Sequence, residues 1–359
     1  MTTKKATRLF GLLLLFGVVK SMRSFLKSNA SDPGHFDLHV SRPDIGDLHR
    51  RYELDAGASD CEILIRTIAS SVNPSDINPT VATYPKVLGS DVAGIVERVG
   101  VNCTRFSVGD RVYGDIGANT LSGGVKTKEL GAYAEYSLAL ESQLGKMPTV
   151  WSWAEAGSLP KVALTSYKAL VWYANATVDP LWKRSPTVLV LGGSGGTGTT
   201  AIQLARVFGA GQIWTTTSGT NAAYCKSLGA DRVIDYHSQN WWDEDIVGNE
   251  TVDVVYDCVG QRGTGDRAMR VLKSPGYFVT IAGSLADHPK AGVSQSFFIN
   301  SDTNLVSAPL LDHLTEIAES GRLAMPRIFA TFPLSGVSDA FNMSAQGHVV
   351  GKISIDIRG

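Results

Sequence analysis

The alternation of apolar and polar residues divides most of the chain into two regions with different periods. Residues 61–136 contain short β-rich runs bounded by turn residues, which predict antiparallel strands. From residue 187 to about 305, apolar runs alternate with segments of helical period, and this order predicts a parallel sheet with crossover helices. The predicted strands and helices of this region and the chain end are strands 188–191, 213–217, 232–235, 252–257, 277–282 and 351–357, and helices 199–208, 221–228 and 311–320.

Between these two regions the pattern turns helical. The helical period begins near Trp153, and Pro160 is expected to interrupt it before a helix over Ala163 to Tyr173. The change from strands to alternating elements near residue 160 predicts a domain boundary there.

Residues 1–31 differ from the rest because they are basic and contain no acidic residue. The apolar run Leu9 to Val19 is too short to span a bilayer. On a helix, Lys20, Arg23 and Lys27 would share one face opposite Met22 and Phe25, and this amphipathic, acid-free character is typical of a mitochondrial presequence. We therefore predict a targeting segment over residues 1–31, with the mitochondrion favoured.

The secretory pathway, including the endoplasmic reticulum, stays open as an alternative address. An apolar run of eleven residues also suits a signal peptide, although basic Lys20 follows it at once. The chain also carries N-x-S/T sequons at Asn29, Asn102, Asn175, Asn249 and Asn342.

Composition excludes some partners. The formal net charge of −1 gives no electrostatic footprint for nucleic acid. The four cysteines are too few and too scattered for a disulfide framework or a cysteine-rich zinc site.

The stretch around residue 190 carries the strongest chemical motif. Apolar residues 188–191 predict a buried strand, and a G-x-G-x-x-G turn follows at Gly193, Gly195 and Gly198 before a helical segment. Glycines in this context allow a tight turn and close approach of the backbone to a pyrophosphate, which the helix N-terminus then binds. Two other interpretations remain open: a hydrolase nucleophile elbow at Ser194, and a glycine-rich loop without a ligand.

The end of the second predicted strand indicates which nucleotide the turn binds. In NAD-binding versions of this arrangement, an acidic residue about twenty positions after the glycines binds the ribose. Here Thr217, Ser218, Thr220 and Asn221 occupy that place, and the first acidic residue is Asp231. Neutral donors favour a 2′-phosphate, so we predict NADPH as the cofactor, bound in part by Ser218 and Asn221.

An ordered set of motifs covers nearly all of residues 60–359. It comprises Val72-Asn73-Pro74-Ser75-Asp76, Leu88-Gly89-Ser90-Asp91-Val92-Ala93-Gly94, Val108-Gly109-Asp110-Arg111-Val112, Leu159-Pro160 with Ala163-Leu164-Thr165, the glycine turn, Ser227-Leu228-Gly229-Ala230-Asp231 and Gly351-Lys352. With these motifs the chain resembles the medium-chain dehydrogenase/reductase superfamily, specifically its zinc-free quinone oxidoreductase branch, which is zeta-crystallin-like.

The resemblance implies an α/β fold with two domains. A Rossmann-type, doubly wound parallel sheet is expected over residues 166–305. A β-rich, GroES-like barrel domain is expected from residues 36–165 together with 306–359. The branch also implies a homodimer.

The resemblance further implies a metal-free site. Zinc-dependent members have a cysteine in the first motif and a His-Glu pair in the second. This chain has Asn73 without a neighbouring cysteine, and Ser90-Asp91 in place of the pair. Without a Lewis acid, hydride transfer favours acceptors that delocalise negative charge themselves, namely quinones and α,β-unsaturated carbonyls.

The resemblance assigns roles to individual residues. Asn73 and Tyr84 would lie at the substrate cleft as catalytic residues. The expected cofactor-binding residues are Thr165, Gly193, Ser194, Gly195, Gly196, Thr197, Gly198, Ser218, Asn221, Tyr236 and Gly283.

The predicted function is zinc-independent, NADPH-dependent reduction of a quinone or enone. A nucleotide-binding scaffold of the same fold with little turnover is the alternative.

Overall fold

The structure is a computed structural model. It describes residues 21–27, 34–41, 43, 62–77, 86–101, 103–117, 131–176, 179, 181–300 and 307–359. The strands are β1 Ser21–Lys27, β2 His35–Ser41, β3 Glu62–Ser71, β4 Lys86–Val87, β5 Asp91–Val99, β6 Arg111–Asp115, β7 Tyr136–Leu140, β8 Leu144–Lys146, β9 Thr187–Leu191, β10 Gln212–Thr217, β11 Arg232–Asp235, β12 Val252–Asp257, β13 Leu272–Thr280, β14 Val293–Phe297, β15 Ile328–Pro333 and β16 Lys352–Asp356.

The helices within the same residues are α1 Pro74–Ile77, α2 Trp153–Ala156, α3 Pro160–Lys168, α4 Gly196–Val207, α5 Ala222–Ser227, α6 Thr264–Val271, α7 Ala308–Glu319 and α8 Val337–Ala345. A π-helical turn, Ala169–Tyr173, continues α3. Pro160 was expected to interrupt a helix, but it begins α3, because proline has no amide hydrogen and the first turn of a helix needs none there. None of the described helices is both long enough and apolar enough to traverse a bilayer.

A predominantly antiparallel sheet joins the first half of the chain to its C-terminus. Its strand order is β15-β16-β3-β5-β6-β8, and β7 pairs with β3. The C-terminal strand β16 lies antiparallel to β3, with Ser354 opposite Ser71. The last residues of the chain therefore complete the sheet that carries the Asn73 and Ser90 motifs.

The second sheet is wholly parallel, with the order β11-β10-β9-β12-β13-β14. Its central strands β9 and β12 are largely apolar, as expected for strands covered on both faces, and Val188, Leu189 and Val190 of β9 are fully buried. The strand order changes direction at β9, because β10 and β11 lie on one side of it and β12 to β14 lie on the other. In such sheets, ligands bind at this point, beyond the carboxyl ends of the strands. The fold is therefore α/β, with a Rossmann-type sheet and a GroES-like β-rich sheet, as predicted.

The start of the described chain corrects the helix predicted within the targeting segment. Residues 21–27 form β1, which pairs with β2 and β4 in a separate small sheet. Phe25 is 1% exposed and packs edge-on against Phe341, and Arg23 forms an ion pair with Glu135 at 2.7 Å. The amphipathic helix predicted through Lys27 is therefore wrong, because residues 21–27 form a strand of the folded protein. The targeting segment over residues 1–31 stays a prediction.

Two of the described cysteines, Cys225 and Cys258, carry free thiols, whereas Cys103 is disulfide-bonded. The domain boundary predicted at residue 165 falls inside α3. This helix packs against both β6 and α4, and so it connects the two sheets.

Candidate nucleotide and substrate site

The glycine turn between β9 and α4 has the geometry of a nucleotide cradle. Gly192 has a positive φ of 84°, which glycine adopts without strain. A Cβ atom on Gly193 would collide with Thr215, and one on Gly198 would collide with the Gly192 carbonyl, so these glycines allow close packing of strand and helix. At Gly195 the nearest atom to such a Cβ would be 3.5 Å away, and the space beside the backbone is open to a phosphate.

The turn is tied to the other sheet by the C-terminal strand. The amide of Gly351 donates to the Ser194 carbonyl at 2.9 Å, and a Cβ on Gly196 would lie 2.8 Å from Cδ of Lys352. Thr197 accepts a hydrogen bond from Ser166 of α3 at 2.9 Å. Both sheets therefore meet at the N-terminus of α4.

Ser194 does not have the partners of a hydrolase nucleophile. Its hydroxyl accepts a hydrogen bond from Thr217 at 2.8 Å, and no histidine among the described residues contacts it. The geometry therefore supports the cradle and not the nucleophile elbow.

The residues predicted to bind the adenosine end lie together at the carboxyl end of β10. Asn221 donates to the Ser218 hydroxyl at 3.0 Å, and the amide of Tyr236 donates to the Thr217 carbonyl at 3.3 Å. The Tyr236 side chain is half exposed and lies against the ring of His237 at 4.4 Å.

Asp235 was missed by the sequence argument. β11 lies beside β10 and places Asp235 opposite Thr217, where its carboxylate would be 2.6 Å from a Cβ on Gly219. The usual sequence signal is an acidic residue soon after the second strand, whereas Asp235 comes from the neighbouring strand β11, so no local pattern indicated it.

Thr165 and Gly283, the two residues predicted at the nicotinamide end, come from α3 and from the segment after β13. Thr165 lies in α3, where its hydroxyl donates to the Lys161 carbonyl at 2.6 Å. Gly283 follows β13, and its amide donates to the Thr280 hydroxyl at 2.9 Å. Gly283 also lines a cavity of about 520 Å³ together with Arg262, Leu285 and Phe297.

A buried network of polar side chains surrounds Asn73. Its amide nitrogen donates to Asp91 at 2.7 Å and to Ser90 at 3.3 Å, and its amide oxygen accepts from Lys352 at 2.6 Å. Ser90 donates to Asp76 at 2.7 Å. All five residues are at least 95% buried.

Comparison with known proteins fits this architecture. Residues 59–149 match the family model described as alcohol dehydrogenase GroES-like domain, and residues 228–355 match the model described as zinc-binding dehydrogenase. The 2-methylene-furan-3-one reductase of Solanum lycopersicum is 34% identical over 304 residues, covering 82% of this chain and 71% of that protein.

The chain belongs to the medium-chain dehydrogenase/reductase superfamily and is quinone oxidoreductase-like.

Two further relatives of this dehydrogenase/reductase have names that assign them to an organelle. The chloroplastic NADPH-dependent alkenal/one oxidoreductase of Arabidopsis thaliana is 31% identical over 305 residues, covering 82% of this chain and 72% of the relative. The mitochondrial NAD(P)H oxidoreductase RTN4IP1 of Bos taurus is 28% identical over 341 residues, covering 82% of both chains.

Solved structures of the superfamily superpose over almost the whole dehydrogenase/reductase chain. An alcohol dehydrogenase superfamily protein from Novosphingobium aromaticivorans aligns with a TM-score of 0.76 at 26% identity, covering 94% of this chain and all of that one. Mycobacterial Rv1454c in complex with NADPH aligns with a TM-score of 0.71 at 25% identity and the same coverage.

The structure gives Asn73 of this dehydrogenase/reductase a different environment from the one predicted. The sequence places Asn73 at the substrate cleft, but both of its amide hydrogens are used by Asp91 and Ser90. In this arrangement it has no donor left for a substrate, so its contact with substrate stays a prediction. Tyr84, the other predicted catalytic residue, lies outside the described residues.

Lys352 and Lys161 were not among the predicted site residues. The Lys352 side chain runs from Gly196 to Asn73, and so it connects the cradle to the network. Lys161 donates through its ammonium to Asp115 at 3.0 Å, and its backbone amide donates to Asp91 at 2.7 Å. A lysine among the apolar residues of a helix or strand resembles a solvated position in sequence. Only the fold shows that Lys352 is buried and that the Lys161 side chain is 12% exposed.

Burial and neighbouring charges shift the pKa values of this network in opposite directions. Burial raises the pKa of Asp76 to about 6, despite the nearby ammonium of Lys161 and the hydrogen bond from Ser90. Burial alone would lower the pKa of Lys161, but the carboxylates of Asp115, Asp76 and Asp91 outweigh it and raise that pKa above its usual value. Lys161 therefore keeps its positive charge at neutral pH.

Proposed function

We propose that this dehydrogenase/reductase is an NADPH-dependent reductase of quinones or α,β-unsaturated carbonyl compounds. The observation that carries the proposal is the contact between Gly351-Lys352 and the glycine turn. It brings the nucleotide cradle of one sheet against the buried network of the other. The names of the tomato and Arabidopsis relatives, a furanone reductase and an alkenal/one oxidoreductase, support the acceptor class.

The residues present fit NADPH. The open space beside Gly195 and the N-terminus of α4 suit the pyrophosphate, and Ser218, Asn221 and Tyr236 suit the 2′-phosphate. When bound, NADPH supplies a hydride from its nicotinamide ring. Thr165 and Gly283 would border the nicotinamide end.

We also propose that the reaction needs no zinc. The described parts of the two motifs that hold zinc in other members contain neither cysteine nor histidine. Asn73, Ser90 and Asp91 satisfy each other's hydrogen bonds instead. No group of three metal-ligating side chains occurs within the described residues.

The test is steady-state oxidation of NADPH and of NADH with a panel of quinones and enones, accompanied by elemental analysis of the purified protein. We expect turnover with NADPH, no stoichiometric zinc and no loss of activity with chelators. Nucleotide binding without turnover on any acceptor would favour the scaffold alternative. One zinc per chain would contradict the metal-free mechanism.

We propose an organellar address, with the mitochondrion favoured by the basic, acid-free N-terminal sequence and by the name of the bovine relative. The disulfide at Cys103 is the observation that favours the secretory alternative, because disulfides persist in oxidising compartments. A mobility shift after treatment with an N-glycosidase would decide for the secretory route.

We propose a homodimer as the assembly. β14 is the outer strand of the parallel sheet in the described residues, with its second edge unpaired. Sedimentation analysis tests this, and a monomer at micromolar concentration would contradict it.

A further inference from the structure

Lys161 combines burial with unused hydrogen-bonding capacity. Its side chain is 12% exposed, and the carboxylate of its partner Asp115 is fully buried. An ammonium group has three hydrogens to donate. Within the described residues the Lys161 ammonium donates to Asp115 only, so two of its hydrogens have no protein acceptor. The nearby carboxylates balance its charge, but leaving two buried ammonium hydrogens without a hydrogen-bond acceptor is costly unless another acceptor is supplied.

The position of Lys161 is fixed from three directions. Its backbone amide donates to Asp91, the residue that also holds Asn73. Its ammonium is held by Asp115, and Asn300 donates to the same carboxylate oxygen at 2.7 Å. These contacts leave the ammonium little freedom to move.

The position of Lys161 relative to the nucleotide follows from α3. Thr165 lies one helical turn beyond Lys161 and is bonded to its carbonyl. The next residue, Ser166, donates to Thr197 in the glycine turn. A nicotinamide ring beside Thr165 would therefore place an acceptor molecule within reach of the Lys161 ammonium.

We propose that Lys161 is a catalytic residue that donates hydrogen bonds to the carbonyl oxygen of the acceptor. This inference rests on the proposed function. The hydride would come from the nicotinamide of NADPH, whose C–H bond would break and which would be left oxidised as NADP⁺. As the hydride with its two electrons adds to the β-carbon of an enone, a C–H bond forms there, the C=C π bond opens and negative charge collects on the oxygen. Water then supplies the proton to the α-carbon. Lys161 keeps its own protons and stabilises the charge, as oxyanion donors do.

The central test is the double variant Lys161→Met with Asp115→Asn. It removes one positive and one negative charge together and so avoids leaving a buried carboxylate unpaired. Loss of one oxyanion donor typically lowers kcat by about 100- to 1000-fold. We expect a fall of about that size in kcat/KM for an enone, with the dissociation constant of NADPH unchanged within about threefold.

A matched control is Lys273→Met with Asp253→Asn, an ion pair at 3.1 Å outside the cleft. We expect wild-type kcat/KM in this control. Equal losses in both double variants would mean that the effect is a general loss of structure, and would overturn the assignment.

A binding measurement adds a readout that is independent of turnover. 4-Nitrophenol resembles the charged oxygen of an enolate once it ionises, and its anion absorbs visible light. With NADP⁺ present, we expect wild-type protein to lower the pKa of the bound phenol and the Lys161 double variant to lose this shift. An unchanged shift in the variant would overturn the proposal.

The outcomes separate this inference from the proposed function. Absence of turnover with every acceptor in wild-type protein would contradict the function itself. Wild-type turnover together with a double variant that keeps kcat/KM within about threefold would leave the function standing and exclude Lys161 as its catalytic residue.

Discussion

Lys168 is a buried cation that forms no ion pair with the described carboxylates, in contrast to Lys161 on the same face of α3. Among the described residues its ammonium contacts the Ser307 hydroxyl at 3.5 Å and the ring of Trp172 at 5.2 Å. Burial therefore lowers the pKa of Lys168 to about 7, and the more distant Asp115 only partly opposes this. The charged form of Lys168 therefore destabilises the folded protein near neutral pH.

We predict that Lys168→Met stabilises the protein at pH 7. The pKa of Lys168 is lower in the folded state than in the unfolded state. The protein is therefore most stable above the unfolded-state pKa, and its unfolding free energy decreases as the pH falls towards the folded-state pKa. Wild-type stability should thus rise from pH 7 towards pH 10.5, and the variant should lack this rise. We expect a difference on the order of 3 kcal/mol at pH 7, measured by chemical denaturation.

Lys183→Met is the control for this measurement, because Lys183 is exposed. Its unfolding free energy should follow the wild-type pH dependence. If the unfolding free energy of Lys168→Met rises between pH 7 and pH 10 as steeply as that of the wild type, Lys168 does not cause the rise.

We predict that Ser218 contributes to the preference for NADPH over NADH. Its hydroxyl is bonded to Thr220 and Asn221, and these neutral donors can turn to a 2′-phosphate. Two or three such bonds, less the cost of desolvating the phosphate, predict about 10- to 100-fold tighter binding of NADPH than of NADH. Ser218→Asp should reverse the preference by repelling the phosphate and accepting bonds from the ribose.

The relative affinity for NADPH and NADH is measured by titrating each nucleotide into wild-type protein, Ser218→Asp and Ser218→Ala. The alanine variant should lose part of the NADPH affinity and leave NADH binding unchanged. A Ser218→Asp protein that still prefers NADPH would show that Tyr236 or the neighbouring Asp235 controls the discrimination.

The site was predictable where its residues are close in sequence. The glycine turn lies between a buried strand and a helix, so local pattern alone assigned its geometry. The contact between Asn73 and Lys352 joins residues 279 positions apart, and no local pattern contains that information. Lys161 could not be placed for the same reason, because its partners lie on β5 and β6, far from α3 in sequence.

At the scale of elements, β1 shows where local pattern misleads. The spacing of Lys20, Arg23 and Lys27 suits a helix face, but strand pairing with β2 and β4 decides the conformation. The deciding contacts come from distant residues, since Arg23 pairs with Glu135 and Phe25 packs on Phe341. Strands β9 to β12 were predicted to within one residue. For β9 and β12 the signal is strong because their apolar residues are almost all buried.

We predict that Phe25→Ala destabilises the protein by about 3–5 kcal/mol, the usual cost of removing a buried phenylalanine ring. Phe25 is 1% exposed and contributes to the core that also contains Tyr133 and Phe341. Phe329→Ala is the control, because Phe329 is 47% exposed and should cost far less. Similar losses of unfolding free energy in the two variants would mean that β1 adds little to the fold.

At the scale of the whole molecule, β1 links the N-terminal part of the chain to its C-terminus. The Arg23 guanidinium donates to the carbonyl of Gly359 at 3.1 Å, while its Nε pairs with Glu135. Phe25 also donates its amide to the Tyr133 carbonyl at 2.8 Å. Removal of β1 would break these bonds and expose the core around Phe341. Any processing of the N-terminus must therefore leave residues 21–27 in place.

We predict that the chain without residues 1–20 keeps the melting temperature and nucleotide affinity of the full chain, whereas the chain without residues 1–27 melts at a clearly lower temperature. The first deletion is the control for the second, because it keeps β1 and its contacts with Glu135, Tyr133 and Phe341. In protein isolated from its own cells, mass spectrometry should find an N-terminus at or before Ser21. A mature chain that begins after Lys27 and is fully stable would show that β1 is dispensable and that the segment originally predicted over residues 1–31 is removable after all.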